Sequence, residues 1–376
     1  MNQRERFNRV MHFQPVDRVP NIEIGYWEAL EPLWRSQGLP AGIPFWGARG
    51  DLQYARNSRE LTQYLGLDAH NITFQVSISP EETPRLTSQV VSEDADSLLI
   101  RYSNGHMARE QRSNRGIAQE LEWPVKRPAD WERARGHFAA GPHNISLERA
   151  ALESLHDRDY PVSLWMFGFW AFLRRMMGFE AACMAFYEDP DMVREMVDFW
   201  SGYLVKHMDL ALELFTPELI MIHEDMAYNH GPMVSPAMAE EFLVPCYARL
   251  AICAKAHGVD ILCIDCDGFP DSLIPVLHEG GINAWSPFEM VCREGRDDLL
   301  ALGRRYPWLR MLGGMDKLAL ARGRGAIDSI VALIPSLIER GGYIPMIDHK
   351  VQEGVALDDY RYYLAEKARR LAPGKS

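Results

Sequence analysis

The feature that most constrains the fold is a repeated alternation of helical segments with short apolar runs that end in polar residues. From about residue 147 onward, six runs of strand length occur with helical segments between most of them: 162–167, 219–223, 261–264, 282–286, 309–312 and 343–347. Two earlier runs, 22–27 and 70–76, bring the predicted strands to eight. Strands that alternate with helices are typical of parallel βαβ units.

Eight strands in this alternation predict an α/β protein with a (β/α)8 TIM barrel, and an open doubly wound sheet is the alternative. With 376 residues, 47% of them hydrophobic, the chain is long enough for one barrel domain over 1–376. Residues from about 80 to 145 differ, because they alternate in polarity and contain turn residues. They predict an inserted β-hairpin or lid region, which adds to an N-terminal helical elaboration.

Composition and motifs exclude several classes of protein. No apolar run reaches the ~18 residues of a membrane span and no apolar signal segment begins the chain, so we expect a soluble, cytoplasmic protein that does not contact a membrane. The net charge of −12 argues against a nucleic-acid surface. Neither G-x-G-x-x-G after an early strand nor a P-loop occurs, so nucleotide binding has little support. Cys263 and Cys266 form a C-x-x-C inside a predicted strand, where a redox role is disfavoured.

The stretch 260–268 ends an apolar run in a cluster of ligand-type side chains. Asp265 and Asp267 are two apart, so in extended chain they share one face. Two carboxylates on one face repel unless a cation lies between them or one is protonated. The alternative is that one carboxylate caps the next helix and the other pairs with Arg or Lys.

Polar residues follow the other predicted strands in the same way, and in a barrel these strand ends would converge. A single metal ion could then be bound by four side chains: Asp265, Asp267, Glu289 and His349. Oxygen and nitrogen ligands suit zinc, manganese or iron. The alternatives are that Glu289 caps a helix and that His349 belongs to an ordinary hydrogen-bonded pair with Asp348.

Several segments resemble the uroporphyrinogen decarboxylase superfamily: 4–7, 15–20, 224–236, 265–268 and 341–345. The resemblance covers nearly the whole chain and implies a (β/α)8 barrel. Members of this superfamily catalyse either cofactor-free decarboxylation of uroporphyrinogen or zinc-dependent methyl transfer to or from a corrinoid protein or coenzyme.

The resemblance is closer to the methyltransferase branch. The decarboxylase carries an early arginine-containing motif for acetate side chains, whereas residues 21–27 hold no arginine and include Glu23, an acid that would repel an octacarboxylate. Zinc-dependent members place His-x-Cys after one strand, Glu after the next strand and Cys after the last strand. Here Asp265, Asp267, Glu289 and His349 stand at those positions, which implies a harder site and a stronger Lewis acid.

The sequence therefore predicts a methyltransferase that demethylates a methoxylated aromatic or similar small donor and methylates a corrinoid protein. The candidate acid and orienting groups are His223, Glu224, Tyr228 and His230. Aromatic residues would hold the donor ring, although they are also typical of a core or barrel rim: Tyr26, Trp27, Trp165 and Phe167. The implied cofactors are zinc or another divalent metal and a corrinoid carried by a partner protein. The sequence does not fix the oligomeric state, although barrels of this family are often homodimers.

Two alternatives stay open. A decarboxylase of a small or tetrapyrrole carboxylic acid would line its mouth with cations, for which the candidates are Lys317, Lys350 and Arg174. A non-catalytic binding barrel would instead hold the ligand set in salt bridges.

Overall fold

The computed structural model describes residues 1–27, 29–46, 58–72, 77–78, 88–102, 105–112, 114–136, 138, 152–296 and 298–372. Its strands, in chain order, are β1 (Ser77–Ile78), β2 (Gln89–Glu93), β3 (Ser97–Arg101), β4 (Met107–Gln111), β5 (Asn114–Glu122), β6 (Ser163–Phe167), β7 (Leu219–His223), β8 (Ala227–Tyr228), β9 (Gly231–Pro232), β10 (Leu262–Cys266), β11 (Ala284–Pro287), β12 (Arg310–Leu312) and β13 (Tyr343–Ile344). Its helices are α1 (Gln3–Met11), α2 (Leu30–Ser36), α3 (Arg59–Tyr64), α4 (Pro128–Arg135), α5 (Phe169–Met177), α6 (Phe179–Glu188), α7 (Pro190–Leu212), α8 (Pro236–Met238), α9 (Val244–Ala256), α10 (Ile274–Glu279), α11 (Leu299–Arg305), α12 (Arg324–Val331), α13 (Ile334–Glu339) and α14 (Leu357–Arg370).

A seven-stranded sheet runs through the centre of the molecule, in the order β1, β6, β7, β10, β11, β12 and β13. Every neighbouring pair in it is parallel. All five residues of β6 are buried, as expected for a parallel strand covered by helices on its outer face. The α/β class and the parallel sheet predicted from the sequence are confirmed.

Two predicted strands near the N-terminus have less regular structure. Of the predicted strand 70–76, residues 73–76 lie outside the described part of the chain; Asn71 makes a parallel bridge to Val162, and β1 follows. In the segment 21–27, the Gly25 carbonyl accepts from the Val351 N–H at 3.0 Å. The Asn21 carbonyl accepts from the Asp68 N–H at 2.9 Å. This segment therefore hydrogen-bonds both to the chain before β1 and to the chain after β13.

Helix starts follow from the local sequence. The Asn2 side chain accepts from the Glu5 N–H at the start of α1, and Asp189 accepts from the Met192 N–H before α7, whose first residue is Pro190.

None of the described helices combines the length and apolar character needed to cross a bilayer.

The insertion is larger than the predicted hairpin. It contains a four-stranded antiparallel sheet in the order β2, β3, β4 and β5, followed by α4. The indole of Trp131 in α4 packs edge-on against Phe172 and Phe199, at centroid distances of 6.1 and 5.1 Å. The Val125 N–H donates to the Met176 carbonyl at 3.0 Å. These contacts attach the insertion to the helices that follow β6.

Glu23 differs from the sequence-based expectation, because it does not point toward a substrate. It is fully buried and accepts from Lys367 Nζ at 2.6 Å and from the Tyr363 hydroxyl at 2.8 Å. The Ile347 N–H also donates to it, at 2.9 Å. The carboxylate is thus neutralised within the protein and cannot repel a ligand, so this argument against a polycarboxylate substrate was wrong.

Candidate active site

Strand register gathers polar and aromatic side chains at the C-terminal edge of the sheet. Phe167 pairs with His223, His223 with Asp265, and Asp265 with Ser286, on four successive strands. Paired residues of parallel strands point to the same side of the sheet. The register therefore places these four side chains in one row, on the side that also carries Trp165.

His223 is held between two carboxylates. Its Nδ1 lies 3.2 Å from Oδ2 of Asp265, and its Nε2 lies 3.5 Å from Oδ2 of Asp225. Burial alone would lower the pKa of His223, but the charge of Asp225 and the hydrogen bond to Asp265 outweigh it and raise the pKa to about 9. The imidazolium form therefore predominates at neutral pH.

Two of the predicted aromatic residues form a wall around this imidazole. The indole of Trp165 stacks on the His223 ring, with centroids 5.4 Å apart and an angle of 29°. Phe167 meets the same ring edge-on, also at 5.4 Å. Beside them lies a small, mostly apolar cavity, lined by Ile24, Ile72, Trp165, Met221, Asp265, Ser286 and Met346. An apolar cavity with two polar side chains suits a small ligand that carries an oxygen function.

The four predicted metal ligands do not converge. Asp267 and His349 lie side by side, with Oδ2 and Nε2 3.6 Å apart. Glu289 instead forms a salt bridge with Lys317 and accepts from the Gly268 N–H at 2.9 Å. Among the described residues, no three of the four predicted ligands bring their ligand atoms within 4.8 Å of one another. As arranged, these side chains do not fit a four-ligand zinc site.

The ionisable groups around Lys317 have pKa values shifted by burial and by one another's charges. Burial alone would lower the pKa of Lys317, but its hydrogen bond to Glu289 and the charge of Asp348 raise it. Burial and the Lys317 charge lower the pKa of His349, so its imidazole is neutral. Burial, with the charges of Asp225 and Glu289, raises the pKa of Asp267. One half-buried ammonium group thus lies among several carboxyl groups at the C-terminal edge of the sheet.

The carboxyl group of Asp348 contacts the loops next to Lys317. It is fully buried and accepts from the backbone N–H groups of Met290 at 2.6 Å and Lys317 at 2.9 Å. Burial raises its pKa to about 6. Asp348 therefore connects the loops that follow β11, β12 and β13.

Glu224 lies in the wall of the site and not in the cavity. It is fully buried and accepts from the N–H groups of Phe169 at 2.7 Å and Ala171 at 3.0 Å, and from the Tyr247 hydroxyl. A Cβ on Gly168 would come within 2.0 Å of its Oε1. The carboxylate anchors the start of α5, so the structure does not bring Glu224 together with His223 as a second acid facing substrate.

Two other predicted groups are on the surface. Tyr228 is 52% exposed on the short β8–β9 hairpin, and His230 is also exposed there, with ring centroids 5.6 Å apart. Neither lines the cavity beside Asp265.

The two early aromatic residues separate as well. Tyr26 is buried in an aromatic cluster with Trp34, Phe45 and Tyr360, where it packs as core. Trp27 stacks on His349 with centroids 5.6 Å apart, so of this pair only Trp27 contacts one of the predicted ligands.

The C-x-x-C pair is buried. All six cysteines are free thiols, and burial raises the pKa values of Cys263 and Cys266 well above the usual range. Buried, protonated thiols are poor nucleophiles and redox groups.

The fold defines the class before any comparison does: an α/β protein with a parallel sheet whose polar residues gather at the C-terminal strand ends. No protein-family model matches the chain, and no curated protein matches it. Among solved structures, a methyltransferase from Methanosarcina mazei superposes with a TM-score of 0.62, covering 98% of both chains at 13% sequence identity. The chain thus shares the overall fold of that methyltransferase over nearly its full length.

Proposed function

We propose that this protein is a methyltransferase that removes a methyl group from a small methoxylated aromatic donor and passes it to a corrinoid carried by a partner protein. The observation that carries the proposal is His223, hydrogen-bonded to Asp265 and stacked on Trp165 beside an apolar cavity. The fold shared with a methyltransferase supports the reaction class. The resemblance and the cavity's chemistry support the donor class, and the resemblance alone supports the corrinoid.

Closure of the sheet into a barrel is part of the same proposal. We infer that the parallel sheet closes into a (β/α)8 barrel through the segment 21–27, which bridges to Val351 at Tyr26 and hydrogen-bonds to the chain before β1. In a barrel, the C-terminal strand ends form the active-site mouth. This geometry would place Ile24 and Met346 in the same cavity wall as Trp165 and Met221, in agreement with the lining of the cavity.

The difficult step in demethylating an aryl ether is the departure of a basic oxygen. The corrinoid, when bound, supplies the electron pair that forms the new bond to the methyl carbon, while the electrons of the broken carbon–oxygen bond stay on the donor oxygen. His223 would donate the proton on Nε2 to that oxygen, in place of the 3.5 Å contact between Nε2 and Asp225, so that the product leaves as a phenol. Asp265 and Asp225 orient the ring and stabilise its charged form. Trp165 and Phe167 would position the donor ring.

No step of this proposal passes through a metal ion, because the predicted ligands do not converge. Asp267 and His349 are the two that would hold one, since their ligand atoms already lie 3.6 Å apart. The buried Nδ1 of His349 has no hydrogen-bond partner among the described residues. Zinc binding therefore stays a prediction. Comparing turnover with and without zinc in the assay below tests whether the reaction depends on it.

The test is methyl transfer from methoxylated benzenes to reduced cobalamin, used as a free acceptor. Phenol formation is measured by chromatography and acceptor methylation by absorbance. Replacement of a general acid costs about 10²–10⁴-fold in rate, so His223→Gln should lower turnover by that amount while donor binding is retained. His156→Gln is the matched control, because His156 is exposed and outside the site. Equal turnover by His223→Gln and wild type would contradict the proposal.

One observation favours the decarboxylase as a second candidate. Lys317 places a half-buried ammonium group at the mouth, where a substrate carboxylate could bind. Against it, Glu289 already forms a salt bridge with this ammonium group, so a substrate carboxylate would meet repulsion from the Glu289 carboxylate. Release of carbon dioxide without any methyl acceptor would identify this activity and exclude methyl transfer.

A further inference from the structure

A second cluster of ligand-type side chains lies at the opposite end of the sheet. The ligand atoms of Asp209, Cys253 and His257 all lie within 4.8 Å of one another. Among the described residues this is the one group of three or more His, Cys, Asp or Glu side chains that meets this distance. None of the three takes part in the site described above.

The cluster joins two neighbouring helices near their C-terminal ends. Asp209 lies in the last turn of α7, Cys253 lies in the last turn of α9, and His257 caps α9. Because these helices lead into β7 and β10, which are parallel, both C-termini lie at the N-terminal edge of the sheet. The ends of helix macrodipoles there carry partial negative charge, which favours a cation.

Spacing and geometry both suit a metal ion. Cys253 and His257 are four residues apart, so they project from the same face of the α9 end. His257 Nε2 lies 2.7 Å from Oδ1 of Asp209, which comes from the other helix. Zinc bonds of about 2.0–2.3 Å at a tetrahedral centre require ligand atoms roughly 3.3–3.8 Å apart, which small side-chain rotations would give here.

We propose that Asp209, Cys253 and His257 bind a zinc ion that links α7 to α9. One sulfur, one nitrogen and one oxygen ligand suit zinc, and three protein ligands leave a fourth position for water. Binding replaces the Asp209–His257 hydrogen bond: the proton on His257 Nε2 moves through solvent to Nδ1, which leaves Nε2 free for the ion, and the Cys253 thiol releases its proton to solvent. Burial and the charge of Asp209 raise the pKa of that thiol to about 11, so the proton is present until the metal displaces it.

The site has accessible ligands. Asp209 is exposed, and Cys253 and His257 are partly exposed, so an ion can enter without unfolding. An ion that binds only the folded protein adds stability in proportion to RT ln(1 + [L]/Kd). The expected role is therefore a clamp between two helices, independent of the methyl-transfer proposal.

Cobalt(II) titration of the full-length protein tests this assignment, since a thiolate ligand gives a near-ultraviolet charge-transfer band. We expect one equivalent of cobalt to produce the band in wild type. In Cys253→Ser we expect no band. His257→Gln and Asp209→Asn should weaken binding by at least about tenfold, since even the outer partners of metal ligands matter that much. The four ligands predicted at the mouth include no thiolate, so the band distinguishes the two sites.

Cys183→Ser is the matched control, because Cys183 is also a partly exposed helical cysteine but lies outside the cluster. It should keep the band and the affinity of wild type. As a second readout, zinc should raise the melting temperature of wild type and of Cys183→Ser but not of Cys253→Ser. A band that survives in Cys253→Ser, or a wild-type titration without one, would overturn the proposal.

Discussion

His70 is a buried imidazole next to the sheet whose charge state should control stability at acid pH. It is 5% exposed, and burial lowers its pKa to about 4, with a smaller raising effect from Asp68 and a lowering effect from Lys367. The ordinary value is about 6.5, so the unfolded chain binds the proton more readily than the folded protein does. Stability is therefore fully present above pH 6.5 and is lost as the pH falls toward 4.

The shift corresponds to a loss of roughly 3 kcal/mol across that window. Urea unfolding at a series of pH values checks it: the difference between wild type and His70→Gln should shrink as the pH is lowered from 7 to 4.5. The matched control is Ile72→Val, an uncharged change nearby, whose cost should be similar at each pH. A difference for His70→Gln that does not change with pH would contradict the assignment.

Single residues also show how far the sequence could predict the site. The period of two puts Glu224 on the side of the chain opposite to His223, and the structure has it so. Asp225 has a φ of 46°, in the left-handed region, so its approach to His223 comes from this turn of the backbone and not from the period of two. The same period directs Glu23 toward the buried Lys367 and its neighbour Ile24 toward the cavity. The sequence alone could therefore exclude Glu224 from the site but could not reveal Asp225. The Lys317–Glu289 salt bridge joins two loops, and no local pattern reveals such a pair.

At the scale of elements, Glu224 joins β7 to α5 and α9. Its Oε2 accepts from the Ala171 N–H, and its Oε1 accepts from the Phe169 N–H and the Tyr247 hydroxyl. In Glu224→Gln an amide nitrogen replaces one carboxylate oxygen, which leaves at least one buried donor without an acceptor. We expect the free energy of unfolding to fall by about 1–3 kcal/mol, measured by urea denaturation.

Its control is Glu213→Gln, at the C-terminal cap of α7, which should change stability by less than about 0.5 kcal/mol because it is exposed. Stability of Glu224→Gln equal to wild type would show that the carboxylate does not anchor α5.

The elements themselves were mostly predictable because buried parallel strands are short and apolar. The predicted strand 219–223 and β7 have the same bounds, and the predicted strand 162–167 differs from β6 by one residue. The insertion was less predictable: all five residues of β2 are exposed, so it lacks the apolar face that marks a strand. Its conformation follows from backbone pairing with β3, beside which it forms the edge of the four-stranded sheet.

At the scale of the whole molecule, a buried ion pair fastens the first predicted strand to the last helix. Lys367 in α14 and Glu23 are both fully buried, with Nζ and Oε1 2.6 Å apart, and Lys367 Nζ also donates to the Ile22 carbonyl at 2.8 Å. Burial lowers the pKa of Lys367 against the raising effect of Glu23. Residues 21–27 thus depend on this pair for their position beside the chain that follows β13.

Removing one member should therefore cost far more than removing both. In Lys367→Met the Glu23 carboxylate stays buried without its cation, and breaking such a pair typically costs about 3–5 kcal/mol. In the double variant Glu23→Gln/Lys367→Met no buried charge is left, so most of that loss should be recovered. Urea denaturation of the three proteins measures this coupling, with Lys255→Met as the exposed control. If Lys367→Met were as stable as wild type, the pair would not be what holds the N-terminal strand to the C-terminal helix.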